Sequence, residues 1–377
     1  MVCLIEGQCL QLQVHHQRAR RSNALSLLPR TFHTTGFVIL GLICELYSQN
    51  ISRLSVASVH IGENYILKHC KHGQFIFNEK DTYIGRSLNL YGEWCETELS
   101  IFLKYIDPGD VVVDVGANIG VFTVPLAKAI GINGHVIAFE PQKPIYQLLQ
   151  SNLVINDLKQ VTSFQFAVGK DNGSAFVPVV KYHVEGNFGA MSLLPSENWE
   201  KRGNHYQVQV VTLDDIVLHA PVSTLNLPQT HEARCPSFMK IDAEGMDYDV
   251  LLGSQQLLKE CIPVIYIEAN HVCVSKKIIQ LLHFYNYQLF WVISSYFNKN
   301  NYFGNDLDVF GFSTLSYNIL AVPFTKEKGL KVSSAPREFV RIRPDNSGYY
   351  LHQYILKFDG VPVILKQQGN AAKCQDS

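Results

Sequence analysis

Short apolar runs alternate with amphipathic segments through the middle of the chain. The apolar runs are typical of strands buried on both faces of a sheet. They cover residues 111–115, 135–140, 162–168, 237–242, 264–268, 288–293 and 318–322. Apolar residues at helical spacing fill 121–130, 145–154, 247–259 and 276–285. This alternation predicts an α/β fold with a doubly wound, mostly parallel sheet, and the last two strands form an antiparallel pair because no helix separates them.

Other segments flank or interrupt this alternation. Short apolar runs between glycines at 55–90 predict a small N-terminal β cap, and 96–105 has the spacing of a lead-in helix. Residues 169–237 are predicted to be an insertion on the loop side of the sheet, where binding sites lie. We therefore expect a poorly ordered or targeting extension at 1–50, the cap and lead-in helix at 51–106, the main domain at 107–325 and a C-terminal extension at 326–377.

The composition is that of a folded and nearly neutral chain. Of 377 residues, 47% are hydrophobic and 17% are charged, which can fill a sizeable core. The formal net charge of -1 gives no basic surplus to neutralise phosphates, so no nucleic-acid partner is expected. The nine cysteines include no Cys-x-x-Cys pair. We therefore predict no structural zinc site and expect reduced, buried thiols.

The first 45 residues differ from the rest in charge. Residues 7–44 contain arginines but no acidic residue, and the apolar run at 36–44 is shorter than the roughly 20 residues of a membrane-spanning helix. A basic segment followed by an apolar one is also the pattern of targeting peptides. We expect no membrane span and a cytoplasmic location, and a targeting role for residues 1–45 stays open.

Glycines follow the first buried strand, in Val111-Val-Val-Asp-Val-Gly-Ala-Asn-Ile-Gly120. Such a turn lets the backbone approach a ligand closely, beside the positive end of the next helix. Dinucleotide enzymes hold a pyrophosphate there with G-x-G-x-x-G spacing. Here the spacing is Gly116-x-x-x-Gly120, and the Asp114 carboxylate would repel a pyrophosphate. The turn therefore favours S-adenosylmethionine over NAD, and the alternative is a structural turn in which Asp114 caps the helix.

An acidic residue ends the second strand. Glu140 lies 20 positions after Gly120. An acid at about this spacing can accept hydrogen bonds from both hydroxyls of a ribose. A lone acid at a strand end is usually only solvated, but the turn, the spacing and the acid together predict adenosine binding across the first two strands.

Three candidate catalytic residues follow the fourth and fifth strands. Asp242 and Glu244 lie in Lys240-Ile-Asp-Ala-Glu-Gly245, and His271 follows the fifth strand. Strand ends at this edge of an open α/β sheet carry ligands, so the two carboxylates are candidates for a general base or for holding a hard cation. Alternatively, Asp242 orients the cofactor and Glu244 caps the next helix. His271 is a second candidate base, or a structural residue, and no metal site is specifically predicted.

The order of several motifs resembles the FkbM family of methyltransferases over residues 91–323. These motifs are Tyr91-Gly-Glu-Trp-Cys-Glu-Thr-Glu98, Pro108-Gly-Asp-Val-Val-Val-Asp-Val-Gly-Ala-Asn-Ile-Gly120, Ala138-Phe-Glu-Pro-Gln142, Ala167-Val-Gly169, Asn187-Phe-Gly189, Thr212-Leu-Asp-Asp215, Lys240-Ile-Asp-Ala-Glu-Gly245 and Ser316-Tyr-Asn-Ile-Leu-Ala-Val-Pro323. The resemblance implies the Rossmann-like, seven-stranded methyltransferase fold with S-adenosyl-L-methionine as methyl donor. It also implies O-methylation of a hydroxyl on a sugar or another small metabolite.

The cofactor-binding residues predicted from the turn and this resemblance are Asp114, Gly116, Ala117, Asn118, Gly120, Glu140 and Pro141. The chain departs from the family pattern at Ala243 and Asp247 and has a longer loop at 219–236. A non-catalytic S-adenosylmethionine-binding protein and an NAD-dependent oxidoreductase remain alternatives. The expected partner is a small molecule or glycan that offers a hydroxyl, and the sequence does not indicate the oligomeric state.

Overall fold

The computed structural model describes residues 3–5, 8–10, 58–193, 204–225, 227, 230–311, 314–324, 339–342, 355–358 and 361–364. The chain divides into two compact units, Met1–Leu54 and Ser55–Ser377. In the first unit, β1 (Cys3–Ile5) pairs antiparallel with β2 (Gln8–Leu10). The basic and apolar segments predicted within residues 11–50 lie outside the described residues. Within the described part, no helix has both the length and the apolar character needed to cross a membrane.

The second unit begins with the predicted β cap. Strands β3 (Ser58–Ile61), β4 (Tyr65–Cys70) and β5 (Gly73–Asn78) form an antiparallel three-stranded sheet. Alternation along β4 and β5 buries one face, which includes Ile66 and Phe77. Two helices follow, α1 (Ile84–Tyr91), which the sequence pattern does not predict, and the lead-in helix α2 (Glu96–Phe102).

The remaining elements continue in chain order. They are β6 (Val111–Val115), α3 (Thr123–Ile130), β7 (His135–Phe139), α4 (Lys143–Ile155), β8 (Val161–Phe164), β9 (Ala167–Val168), β10 (Gly173–Pro178), β11 (His205–Val211), α5 (Val222–Leu225), α6 (His231–Arg234), β12 (Phe238–Ile241), α7 (Asp247–Leu252), β13 (Val264–Glu268), α8 (Val272–Phe284), β14 (Tyr287–Ser295), β15 (Leu315–Pro323), β16 (Phe339–Ile342), β17 (Ile355–Phe358) and β18 (Val361–Ile364). Single π-helical turns lie at Asp214–His219 and Leu257–Cys261.

The central sheet confirms the predicted fold class. Its strand order is β16-β14-β15-β13-β12-β6-β7-β8, so an eighth strand, β16, joins the predicted seven at one edge. Strands β13, β12, β6, β7 and β8 run parallel, and β15 pairs antiparallel with both β13 and β14. Successive residues of β6 point to opposite faces: Val112 packs with the core on one face and Val113 with the core on the other. Helices therefore cover both faces of the sheet.

Two predicted elements are divided in the structure. The predicted strand 162–168 becomes β8 and β9, because β9 leaves the central sheet and pairs with β11 in a separate sheet of order β10-β11-β9. The predicted helix 247–259 is interrupted after α7. At Gly253, an added Cβ would lie 2.1 Å from the carbonyl oxygen of Gly169, so this position admits only glycine at the present spacing. Both divisions arise from contacts with distant parts of the chain.

The prediction of reduced thiols is wrong for part of the cysteine set. Cys235 and Cys261 form a disulfide with a Cα–Cα distance of 5.0 Å, and Cys273 is also disulfide-bonded. Cys235 precedes β12 and Cys261 precedes β13, and these neighbouring parallel strands begin at the same edge of the sheet. That adjacency, which sequence spacing does not reveal, brings the thiols together. Cys70 and Cys95 are free and buried, as predicted.

Candidate functional site

A cleft opens at the carboxyl ends of β6, β7, β12 and β13. It is lined by the glycine turn after β6, by Glu140 after β7, by Asp242 and Glu244 after β12, and by Glu268 at the end of β13. Parallel strands place their carboxyl ends at one edge of the sheet, where ligands bind in open α/β folds. Residues that are far apart in the sequence are therefore brought into one cavity.

The glycine turn lies against the backbone of the neighbouring strand end. Gly116 has φ +72°, and an added Cβ would lie 1.8 Å from the carbonyl oxygen of Asp242. Asn118 also has a left-handed backbone, with φ +51°, and its Oδ1 accepts a hydrogen bond of 2.8 Å from the N–H of Ile119. A side chain at position 116 would require the two strand ends to separate, so this position needs glycine for both its φ and its surroundings.

Asp114 lies beneath the turn and does not line the cleft. Its side chain is fully buried, and Oδ2 accepts a hydrogen bond of 2.6 Å from the Thr123 hydroxyl. Oδ1 lies 3.4 Å from the Lys240 ammonium, which also donates to the carbonyls of Val115 and Gly116 at 3.1 and 2.7 Å. Burial alone would lower the pKa of Lys240, but the Asp242 and Asp114 carboxylates raise it above its usual value. Asp114 and Lys240 thus hold the turn from below.

Glu140 faces the cleft beside the turn. Its Oε2 accepts a hydrogen bond of 3.0 Å from the N–H of Asn118, and its Oε1 accepts one of 2.8 Å from the N–H of Gln142. Burial raises the pKa of Glu140 to about 7. Each carboxylate oxygen can accept a further hydrogen bond, because a carboxylate offers about four acceptor sites.

Part of the cleft wall is apolar. This part is formed by Phe166, Ala167, Val168, Met191 and Met246. The first three leave β8 and enter β9, and Met191 belongs to the segment between β10 and β11. The insertion predicted on the loop side of the sheet therefore contributes directly to the cleft wall.

Three carboxylates meet in the same cleft. Oxygen atoms of Asp242, Glu244 and Glu268 lie within 4.8 Å of one another. The Lys240 ammonium lies 3.6 Å from Oδ2 of Asp242. Burial, followed by repulsion from Asp242 and Asp247, raises the pKa of Glu244 to about 8, and burial and Asp242 raise the pKa of Glu268 strongly. We call these three residues the carboxylate cluster.

Glu244 is held in the cluster by the conformation of its turn. Its φ is +49°, an uncommon value for a residue with a side chain. Asp247 stabilises the turn, because Oδ1 accepts from the N–H of Ala243 at 2.9 Å and Oδ2 from the N–H of Gly245 at 3.2 Å. Met246 is the N-cap residue of α7 and no side chain caps this helix, so Glu244 does not have the capping role considered for it, and its side chain lines the cleft.

Aromatic side chains close the cleft beyond the carboxylate cluster. Trp94 stacks on Tyr296 with ring centroids 5.1 Å apart, and Tyr83 meets Tyr296 edge-on at 5.7 Å. We call Tyr83, Trp94 and Tyr296 the aromatic wall. Glu98 lies beside it, buried, where Oε1 accepts hydrogen bonds from Ser294 at 2.5 Å and Asn318 at 3.2 Å.

The structure brings most of the predicted site residues together. The cleft is lined by Gly116, Ala117, Asn118, Glu140, Pro141, Asp242 and Glu244. Asp114, Gly120 and His271 do not line it, and His271 is exposed. The prediction does not include Glu98, Lys240 or Tyr266, which do line the cleft. In the sequence, these three residues are marked only as polar groups in an otherwise apolar strand or on an apolar helix face.

Several solved structures resemble the chain in part. One is a methyltransferase FkbM from Methylobacillus flagellatus KT, with TM-score 0.33, 17% identity and coverage of 56% of this chain and 43% of that chain. Another is an S-adenosylmethionine-dependent O-methyltransferase from Thermotoga maritima, with TM-score 0.35, 11% identity and coverage of 71% and 86%. A third is M. jannaschii TYW2 in complex with AdoMet, with TM-score 0.35, 14% identity and coverage of 70% and 87%.

Sequence comparison is more specific. The protein "Methyltransferase 1" of Beauveria bassiana (strain ARSEF 2860) is 26% identical over 153 residues, which is 38% of this chain. The match spans 57% of that relative's length. Residues 114–289, which contain the glycine turn and the carboxylate cluster, match the model of the methyltransferase FkbM domain. Over these residues the chain is similar to the FkbM methyltransferases.

Proposed function

We propose that this chain is an S-adenosyl-L-methionine-dependent methyltransferase that methylates a hydroxyl oxygen of a sugar or another small metabolite. The observation that carries the proposal is the pairing of the Gly116 turn, which excludes a side chain, with the buried Glu140 carboxylate in one cleft. The match of residues 114–289 to the methyltransferase FkbM domain supports methyl transfer. We further propose that residues 107–325 are the catalytic domain and that residues 51–106 complete the cleft through Trp94 and Glu98.

The residues of the cleft fit the methyl donor. A ribose can donate its hydroxyls to Glu140, whose oxygens keep acceptor capacity beside their two backbone partners. The apolar side chains of Phe166, Val168 and Met246 in the cleft wall suit a flat, uncharged adenine ring. When bound, the donor supplies a methyl group already activated on a sulfonium sulfur, so the protein mainly aligns the two reactants.

The carboxylate cluster is the proposed acceptor side. A bound donor would supply the methyl group: the acceptor oxygen would form the new C–O bond as the methyl–sulfur bond breaks with its electron pair remaining on sulfur. The hydroxyl proton would pass to an ionised carboxylate of the cluster. Asp242 and Glu244 line the cleft and can orient that hydroxyl or assist its proton loss, whereas His271 lies outside the cleft. The aromatic wall can pack on the apolar face of a sugar ring while the carboxylates accept its hydroxyls.

The first experiment compares ligands on the purified full chain. Calorimetric titration should show binding of S-adenosylmethionine and S-adenosylhomocysteine and none of NAD. Incubation with methyl-labelled donor and fractionated cell extract should then yield a methyl ether, which NMR distinguishes from an ester or a methylamine. Binding of NAD without S-adenosylhomocysteine would refute the cofactor assignment. A labelled amine or carboxyl product would refute the hydroxyl acceptor and retain the donor. A cytoplasmic location stays a prediction from the sequence.

A further inference from the structure

The spacing of the carboxylate cluster matches a single metal ion. Its ligand oxygens lie within 4.8 Å of one another. Ligands on opposite sides of Ca²⁺ are about 4.6–5.2 Å apart, and those on opposite sides of Mg²⁺ about 4.0–4.2 Å. The spacing is therefore compatible with one ion of the larger size in contact with Asp242, Glu244 and Glu268. Asn270 orients Glu268 by donating a hydrogen bond of 2.5 Å to Oε1.

The described residues that line the cleft include more acidic than basic side chains, which favours binding of a cation. Among the described residues that line the cleft, five are acidic (Glu98, Glu140, Asp242, Glu244 and Glu268) and Lys240 is the one basic residue. The Lys240 ammonium is already engaged by Asp114 at 3.4 Å and by two backbone carbonyls. A bound sulfonium adds a single positive charge. Within the carboxylate cluster, Lys240 forms an ion pair with Asp242 at 3.6 Å, and no ion pair with a described residue is found for Glu244 or Glu268.

An independent observation comes from Tyr266. This side chain is 2% exposed and lines the same cleft, two residues before Glu268 on β13 and therefore on the same face of the strand. Its hydroxyl is buried and makes no hydrogen bond of normal geometry with the described residues, although the carboxylate of Glu98 lies close enough to interact with it. Buried hydroxyls normally have a partner. A water molecule on a bound ion, or the oxygen of an acceptor, would supply it.

We propose that Asp242, Glu244 and Glu268 bind one divalent cation of the size of Ca²⁺ or Mn²⁺, with the Tyr266 hydroxyl directed at its bound water or ligand. The remaining coordination positions are available to water and to the acceptor. A cation at this position would bind the acceptor oxygen and make its hydroxyl more acidic. That second role rests on the proposed function, whereas binding of the ion does not.

The test uses the full chain and Mn²⁺ as the probe. Free Mn²⁺ is measured by electron paramagnetic resonance during a titration, with and without S-adenosylhomocysteine, and one ion should bind per chain. Glu244→Gln and Glu268→Gln should each weaken binding at least tenfold. Glu63→Gln, at an exposed position in the turn between β3 and β4, is the matched control and should bind Mn²⁺ like the wild type.

Thermal melting keeps the test informative if a variant binds no ion. In chelator, Glu244→Gln should melt no lower than the wild type, because it removes one of three mutually repelling carboxylates. Mn²⁺ should raise the melting temperature of the wild type and of Glu63→Gln but not that of the two cluster variants. A folded wild type that binds S-adenosylhomocysteine but no Mn²⁺ at millimolar concentration would overturn the cation site and leave the proposed function intact. Mn²⁺ affinity equal to that of the wild type in both cluster variants would also overturn the cation site. A protein that binds Mn²⁺ but does not bind S-adenosylhomocysteine would support the cation site and contradict the proposed function.

Discussion

Replacing Glu140 with alanine should weaken binding of S-adenosylhomocysteine by about ten- to a hundredfold. The proposed ribose hydrogen bonds end on a charged acceptor, and such bonds contribute about 1.5–3 kcal/mol. At about 1.4 kcal/mol per tenfold change in affinity, this range corresponds to the stated loss. Glu140 is 4% exposed, so bulk water cannot readily replace its carboxylate in the variant.

The carboxylate also stabilises the empty turn, and this effect must be separated from cofactor binding. Glu140 accepts the N–H groups of Asn118 and Gln142, and its removal leaves both donors without this acceptor. Glu140→Gln keeps the size of the side chain and one acceptor oxygen, so it serves as the comparison variant. The melting temperature of each variant should be measured beside its affinity, so that a loss of binding is interpreted only for folded protein.

Ionisation of Glu140 predicts how affinity depends on pH. Burial raises its pKa from 4.5 to about 7 in the free protein. Its contribution to folding stability is therefore fully present below pH 4.5 and is lost as the pH rises through 7. Ribose hydroxyls donate to the ionised form, so the affinity for S-adenosylhomocysteine should increase with pH. Between pH 6 and pH 8 we expect an increase of about tenfold, since a pH one unit below the pKa leaves roughly a tenth of the groups ionised.

Isothermal titration calorimetry across this pH range is the assay. Repeating it in buffers of different ionisation enthalpy counts the protons released, which should approach one per ligand near pH 6. Glu140→Gln should abolish both the pH dependence and the proton release. Wild-type affinity in folded Glu140→Ala, or a flat pH profile that is the same in Glu140→Gln, would show that this carboxylate only supports the turn.

Three other substitutions test the turn and the acceptor side. Gly116→Ala should abolish S-adenosylhomocysteine binding or lower the melting temperature sharply. The control is Gly131→Ala, at a similar φ of +69° but with nothing within 4 Å of its Cβ, which should lose only the stability that a positive φ costs a residue with a side chain. Similar melting and binding in the two variants would exclude the steric argument. Lys240→Met leaves the buried Asp114 carboxylate without its cation and should cost about 3–5 kcal/mol in denaturant unfolding; a loss below about 1 kcal/mol would contradict the supporting role. Glu244→Gln should keep cofactor affinity within about twofold and lower methyl transfer by about a hundredfold, and normal turnover with a lowered melting temperature would reject its role in the reaction.

The fold is readable from the sequence where burial alone determines an element. The continuous apolar runs at 111–115 and 264–268 correspond residue for residue to β6 and β13, which are covered on both faces. The pattern fails where a distant contact decides. The interruption of the helix after α7 depends on the backbone of Gly169 lying against Gly253, and the division of the strand at 162–168 depends on β11. Neither partner can be identified from local periodicity.

The candidate site shows the same division. The glycine spacing and the acid 20 residues later predict Gly116 and Glu140 as cleft residues because both follow from the geometry of consecutive strands and helices. Glu98 and Tyr266 belong to an apolar helix face and an apolar strand, where a polar group is indistinguishable from a buried structural one. Asp114 shows the opposite error, because it is predicted to bind the cofactor and does not line the cleft. Its position beside the turn suggests ligand contact, but the side chain points to Lys240 beneath the turn.

The disulfide between Cys235 and Cys261 bears on the redox compartment in which this protein is expected to be stable. Cys235 and Cys261 are separated by 26 positions, and the loop they close contains β12 together with Asp242 and Glu244. By the chain-entropy relation, closing a loop of this length restricts the unfolded chain by about 3.5 kcal/mol. Disulfides persist in oxidising environments such as the secretory lumen or the cell exterior and are rare where glutathione and thioredoxin keep thiols reduced. The segment that carries the acceptor-side carboxylates is thus expected to be fully constrained only in an oxidising compartment, which argues against the cytoplasmic location predicted from the sequence.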